Sequence, residues 1–163
     1  MSKFANEIKL AVFDVDGVFT DGRLYMNADG QEAFKVFHVR DGYGIKNLLR
    51  HNIQVGVISG RSSPMVSERM RALGVKHIHM GCEDKLPKLK EMAAGLGISL
   101  SETCYLGDDS IDIDAIKAVG LGLAVNDAHP SVIAAAMAKT QASGGQGAVR
   151  EVCDLLVDAL DKA

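Results

Sequence analysis

Asp14 and Asp16, two carboxylates one residue apart, close the apolar run Ile8 to Phe13 and are followed at once by Gly17. Paired acids at the tip of a buried strand suit catalysis or cation binding, because both can face one ligand while the strand holds them still. Leu10-Ala11-Val12-Phe13 is the continuous apolar run expected of a central parallel strand, and Gly17 frees the backbone to turn sharply after it. Ligands of open α/β sheets gather at such carboxyl ends. A calcium loop is the competing reading, but the glycine falls too early for EF-hand spacing and no Glu closes the loop.

Three later segments carry compatible chemistry. Val55-Gly56-Val57-Ile58 is a second apolar strand ending in Ser59-Gly60-Arg61, just before a helical pattern that begins near Pro64. A hydroxyl, free amides and a cation thus meet at a helix N-terminus, where anions bind. Lys85 opens the next helix, and the strand Thr103 to Leu106 runs into Gly107-Asp108-Asp109-Ser110-Ile111-Asp112. Taken singly, each has a structural explanation: Ser59 and Asp109 could cap helices, Lys85 could be a solvated helix lysine, and Asp112 a first-turn acid. Their joint order at strand ends argues otherwise.

The elements that must position these residues follow from punctuation and period. Strands are predicted near 8–13, 54–58, 76–79, 103–106 and 121–125, and helices near 42–51, 64–73, 84–95, 111–118, 130–138 and 147–161. This alternation predicts an α/β fold with a doubly wound parallel sheet. The exception is Arg23 to Phe37, where two strand-like stretches flank Asn27-Ala28-Asp29-Gly30 and predict a projecting β-hairpin.

In this order and context the segments resemble the haloacid dehalogenase superfamily of phosphatases, and within it the 3-deoxy-D-manno-octulosonate 8-phosphate (Kdo 8-phosphate) phosphatases. The resemblance runs over nearly the whole chain. Asp14-Val15-Asp16-Gly17-Val18 and Gly107-Asp108-Asp109 point to the superfamily. The stretches from Phe37 to Gly44 and from Gly144 to Glu151 point to the narrower group, and Ser59-Gly60-Arg61 and Ala128-His129-Pro130 agree. Departures are mild: the family commonly carries Asn, Thr and Arg where this chain has His38, Ser59 and Gln146. Serine for threonine keeps the hydroxyl.

The resemblance implies a Mg²⁺-dependent phosphomonoester hydrolase of lipopolysaccharide precursor synthesis. It assigns Asp14 as nucleophile and Asp16 as acid and base, with its backbone carbonyl toward the metal. Asp14 and Asp108 would ligate Mg²⁺, and Asp109 would hold the metal's waters or orient Lys85. Ser59, Gly60 and nearby amides would take the phosphoryl oxygens, Lys85 would offset transition-state charge, and Asp112 would lend support from behind. Arg61 is the specificity candidate, since a guanidinium suits the carboxylate of a sugar acid. A surface ion pair is its bland alternative. The family further implies that Arg69 of an adjacent subunit reaches the substrate. Many members of the superfamily insert a separate cap domain after the first acidic motif or between the hydroxyl and lysine motifs, whereas here those intervals hold only the hairpin, one helix and connections, so residues 1–163 are expected to form one capless domain. A homotetramer built on the hairpins is expected to close the site, as in the resembled group.

A receiver-like signalling domain gathers similar residues, but its lysine would follow the last strand instead of preceding the final acid cluster. A nonulosonate 9-phosphate is an alternative substrate. Net charge of −3 and scattered phenylalanines predict no nucleic-acid partner. The three cysteines are far apart and the five histidines lack ligand spacing, which disfavours disulfides and zinc. Lys3, Glu7 and Lys9 leave the N-terminal apolar run too charged for a signal peptide, and no segment has the length of a membrane span. A cytoplasmic protein is expected.

Overall fold

A computed structural model describes residues 5–162, so Lys3 and the outermost ends of the expected 1–163 domain lie outside the described residues. All four residues of strand β1 (Leu10–Phe13) are buried, as a strand without a polar face must be. It pairs in parallel with β4 (Gln54–Ile58) and with β6 (Thr103–Gly107). Adding β5 (His77–His79), β7 (Leu121–Ala124) and β8 (Ala138–Lys139) gives a parallel sheet in the order β5-β4-β1-β6-β7-β8. The chain builds outward from β1 on one side, then crosses back and builds outward on the other. The crevice at the carboxyl ends therefore falls between β1 and β6.

Among the described residues, six helices connect and flank these strands: α1 (Val39–Arg50), α2 (Pro64–Ala72), α3 (Lys85–Gly95), α4 (Ile113–Ala118), α5 (Pro130–Ala135) and α6 (Ala148–Leu160). Right-handed crossovers place α1 and α2 on one face and α3, α4 and α5 on the other, with α6 returning to pack on α1. The expected hairpin is present as β2 (Tyr25–Met26) and β3 (Glu32–Phe34), an antiparallel pair separate from the main sheet.

Two boundaries differ from the sequence expectation. Helix α1 begins at Val39, where the ring of His38 accepts a hydrogen bond from the Arg40 amide and caps the first turn. Gly44 is tolerated inside the helix because a Cβ there would press on Arg150 and Cys153 of α6, so its absence lets the two helices approach closely. The helix expected over 130–138 instead stops at Ala135, and Ala138 and Lys139 extend the sheet as β8. Met137 and Thr140 donate amides to Gly122 and Ala124 carbonyls. Pairing along a sheet edge outweighs the helix propensity of an alanine-rich stretch.

Candidate active site

Register fixes which residues reach the carboxyl end. Phe13 lies opposite Val57 on one side and Leu106 on the other, so Asp14, Ser59 and Asp108 all emerge within two residues of paired positions. After Asp14 the backbone winds tightly, with the amides of Val18, Phe19 and Thr20 converging on the Val15 carbonyl. Gly17 sits at φ +85°, and a Cβ there would run into the Asp108 carboxylate. Only glycine lets the two acidic loops touch.

Lys85 projects from the first turn of α3 into the protein, and its side chain is 0% exposed. Its ammonium lies 2.7 Å from Asp14 Oδ1 and 2.7 Å from Asp112 Oδ1. Asp112 is also fully buried, and both its oxygens are occupied. Oδ1 takes Lys85 and the Tyr105 hydroxyl at 2.7 Å, while Oδ2 accepts the amides of Asp108 and Asp109 at 3.0 and 3.2 Å. Burial together with the Asp112 and Asp14 charges raises the Tyr105 phenol well above its usual range, so it remains a donor to Asp112. Burial disfavours the Lys85 ammonium, but the two carboxylates outweigh it and its pKa is raised. Lys85 is a fixed positive charge.

These contacts correct one expectation: the acid that orients Lys85 is Asp112. Asp109 turns its carboxylate to the Ser110 amide at 2.6 Å and caps the short 3₁₀ turn Ser110–Asp112. It still lines the cleft, a space of about 210 Å³ bounded also by Asp14, Asp16, Ser59, Gly60, Arg61 and Asp108. Ser59 is buried, and its hydroxyl accepts the Arg61 amide at 3.3 Å. The Arg61 guanidinium reaches over to Glu32 of β3 at 3.1 Å. Arg69 is not brought to the cleft of its own chain; it lies on α2 with its guanidinium against Gly42 of α1. A larger cleft of about 520 Å³ opens between β8 and α6, but it contains none of these acids. Of the cations lining it, Arg150 pairs with Asp154 and Lys139 with the Asn126 side chain.

The acid cluster has an electrostatic surplus. Burial and the Asp112 charge push Asp14 up to about 6 despite Lys85, and burial with the Asp14 and Asp112 charges pushes Asp108 up to about 9. One lysine does not balance three carboxylates in a dry site. Asp14, Asp108 and Asp112 each offer an oxygen within 4.8 Å of the others, and Asp108 Oδ1 is buried with no hydrogen-bond partner. An unpartnered hard oxygen beside a second carboxylate is what a divalent cation such as Mg²⁺ requires. Because Asp112 is consumed by its four donors, Asp14 and Asp108 are the carboxylates that fit the ion.

Residues 82–151 match the haloacid dehalogenase-like hydrolase family. The 3-deoxy-D-manno-octulosonate 8-phosphate phosphatase of Salmonella typhi is 46% identical over 158 residues, covering 97% of this chain and 84% of that protein. This chain belongs to that phosphatase family of haloacid dehalogenase-like hydrolases. The family's Moraxella catarrhalis enzyme, crystallised with a magnesium ion, a phosphate ion and a KDO molecule, superposes with a TM-score of 0.95 at 40% identity, over 99% of this chain and 92% of that one. A cobalt-bound family member from Haemophilus influenzae superposes with a TM-score of 0.93 at 42% identity, over 98% and 92% of the two chains.

Lys35, Glu32 and Tyr105 were not among the expected site residues. The signal for Tyr105 was available: a tyrosine in an otherwise apolar central strand must find a partner for its hydroxyl. Lys35 had none, since its burial depends on how the hairpin folds back.

Proposed function

We propose that this protein hydrolyses Kdo 8-phosphate to Kdo and inorganic phosphate with Mg²⁺, through a phosphoryl group carried on Asp14. The observation that carries the proposal is the Asp14–Lys85–Asp112 bridge beside the unpartnered Asp108 oxygen, on a chain related to Kdo 8-phosphate phosphatases along almost its full length. Uncatalysed phosphate-monoester hydrolysis is among the slowest of reactions, so positioning and charge neutralisation supply most of the acceleration.

An Asp14 oxygen attacks phosphorus in line with the ester oxygen. As the P–O bond to the sugar breaks, Asp16 gives its proton to the departing alkoxide. Water then attacks the phosphorus of the acyl phosphate and Asp16 takes its proton, which frees phosphate and restores Asp14. Lys85 neutralises charge on the transferring group, and Ser59 with the amides near Gly60 holds its oxygens. Asp14, Asp108 and the Asp16 carbonyl would hold Mg²⁺, which would supply charge stabilisation for the phosphoryl oxygens. Asp109, at the rim of the cleft, would be near enough to take the ion's waters, and Arg61 would receive the sugar-acid carboxylate.

Between Asp16 and Ser59, and between Arg61 and Lys85, the chain holds only the hairpin, α1, α2, the sheet strands β4 and β5 and their connections, which supports a single domain without a cap. We propose that closure comes from a homotetramer whose hairpins meet at its centre, and that a neighbour's Arg69 completes the site. Leu24, Met26, Phe34 and Val36 are each more than half exposed on the hairpin, an apolar load that association would cover. No described helix is long and apolar enough to cross a membrane. The reading includes a cytoplasmic setting, with neither nucleic acid nor membrane as partner.

A panel of Kdo 8-phosphate, a nonulosonate 9-phosphate, simple sugar phosphates and nucleotides tests the substrate, with and without EDTA. Kdo 8-phosphate should give the highest kcat/KM, and EDTA should remove turnover. Preference for the nonulosonate ester would move the substrate within the sugar acids, and stable phosphorylation without turnover would favour the receiver reading.

A further inference from the structure

The hairpin inverts the usual arrangement of a surface strand. Phe34 and Val36 point outward, each 51% exposed, while the side chain of Lys35 between them is only 2% exposed. A lysine has a long stem and a strongly hydrated head, so it normally snorkels to water. Burying it costs several kcal/mol unless partners compensate. Its partners here are Asp16 Oδ1 at 2.5 Å and Glu32 Oε1 at 2.7 Å. The other Glu32 oxygen takes Arg61. An alternating chain of charges, Asp16–Lys35–Glu32–Arg61, thus runs from the strand-tip loop through the hairpin to the loop after β4.

Lys35 does not line the cleft. It takes Asp16 Oδ1 from the hairpin side, and Asp16 itself lines the cleft, so Oδ2 is the oxygen that would carry the proton. The hairpin is anchored a second time to the same loop, because Tyr25 stacks on Phe34 with ring centroids 4.9 Å apart and donates its hydroxyl to Asp21 at 2.9 Å. Both anchors lie on the stretch that carries Asp14 and Asp16.

We infer that Lys35 is a positioning residue that holds the Asp16 carboxyl in the orientation needed to pass a proton to the leaving alkoxide, and so makes this step depend on the seating of the hairpin. The inference rests on the phosphatase reading above. A buried ion pair that merely stabilised the hairpin would not distinguish substrates by their leaving groups. An orienting contact on the proton donor does, because an alkoxide must be protonated as it departs whereas nitrophenolate leaves without a proton.

The test compares wild type, Lys35→Met and Lys35→Gln with Mg²⁺ on Kdo 8-phosphate, glycerol 2-phosphate and p-nitrophenyl phosphate, read as kcat/KM so that only steps through phosphoryl transfer count. Both variants should lose about 10²-fold or more on the two alkyl esters, the scale of a positioned general acid, and less than about threefold on the nitrophenyl ester. Equal losses on all three esters, or none, would overturn the proposal. Thermal melts identify a variant that fails to fold; Lys35→Gln keeps most of the stem and a donor, and its ester pattern decides if Lys35→Met is lost. Wild-type turnover of glycerol 2-phosphate without Kdo 8-phosphate would remove the substrate reading and leave the Lys35 comparison intact. No turnover of any ester by wild type would overturn both.

Discussion

The strand tips and the hairpin handle charge in opposite ways. At the tips, Lys85 and Asp112 are wholly buried, and every Asp112 oxygen is used by donors from three different segments. At the hairpin, apolar side chains face outward and the charged chain from Lys35 to Arg61 ends in a guanidinium 47% exposed. The first region is self-sufficient apart from a cation. The second leaves its apolar face and the Arg61 guanidinium open, the two features that the proposed association and the proposed sugar-acid contact would use. The contrast separates a closed set of buried charges from an open one.

Asp14→Asn should break the first region's chemistry outright. The amide cannot attack phosphorus, so turnover of every ester should vanish while the melting temperature stays near wild type; surviving turnover would take the nucleophile away from Asp14. Asp112→Ala should break the region's structure. It leaves the Lys85 ammonium short of a partner and orphans the Tyr105 hydroxyl, which should cost about 3–5 kcal/mol, read by urea unfolding. A loss below about 1 kcal/mol would mean that the site is less dependent on Asp112 than its burial implies.

Phe34→Glu tests the second region. The variant should sediment as a smaller species and lose most activity on the sugar-acid ester while keeping hydrolysis of p-nitrophenyl phosphate. A wild type that is monomeric and fully active would refute the tetramer. Arg61→Ala should be milder, lowering kcat/KM for sugar-acid phosphates by about 10-fold, the worth of one charge-assisted contact, with little change on the nitrophenyl ester. Equal losses would make Arg61 a phosphate or structural residue.

The smallest effect concerns pH. Asp14 and Asp108 titrate near about 6 and about 9 in the folded protein, against a reference of 3.8. A raised carboxylate favours the folded state while protonated, so this contribution is present below the reference value and is lost as pH climbs through 6 and 9. Metal-free protein should therefore melt at a lower temperature at pH 9 than at pH 6, and Mg²⁺ should flatten the difference. Equal melting temperatures in EDTA at both values would remove the surplus-charge argument.

The parallel sheet and its strand-tip acids were legible in the sequence because both follow from local patterns: apolar runs for buried strands, and polar residues directly after them. Strand β8 was not, because two residues of an alanine-rich stretch become a strand only through their neighbour β7. Asp109 and Asp112 show a subtler limit. Three acids within five residues compete for Lys85, and the winner is set by the 3₁₀ turn, which rotates Asp112 inward and Asp109 toward its own cap. Lys35 reads as an ordinary surface lysine until the hairpin folds back over Asp16.

The position of β1 has a consequence for biosynthesis. The segment bearing Asp14 emerges from the ribosome early, yet its neighbours in the sheet are β4 and β6, and a Cβ on Gly144 would strike the Gly17 carbonyl, so the 143–147 loop is packed directly on the acidic turn. At roughly 5–20 residues per second, the nucleophile waits on the order of ten seconds for that loop to be made. In the first part of this interval, until β4 and β6 are made, β1 is an apolar strand without its partners, exposed to wrong pairing and to chaperones. The acidic turn therefore acquires its last packing partner, and the Val18 carbonyl its Gly145 amide, only near the end of synthesis.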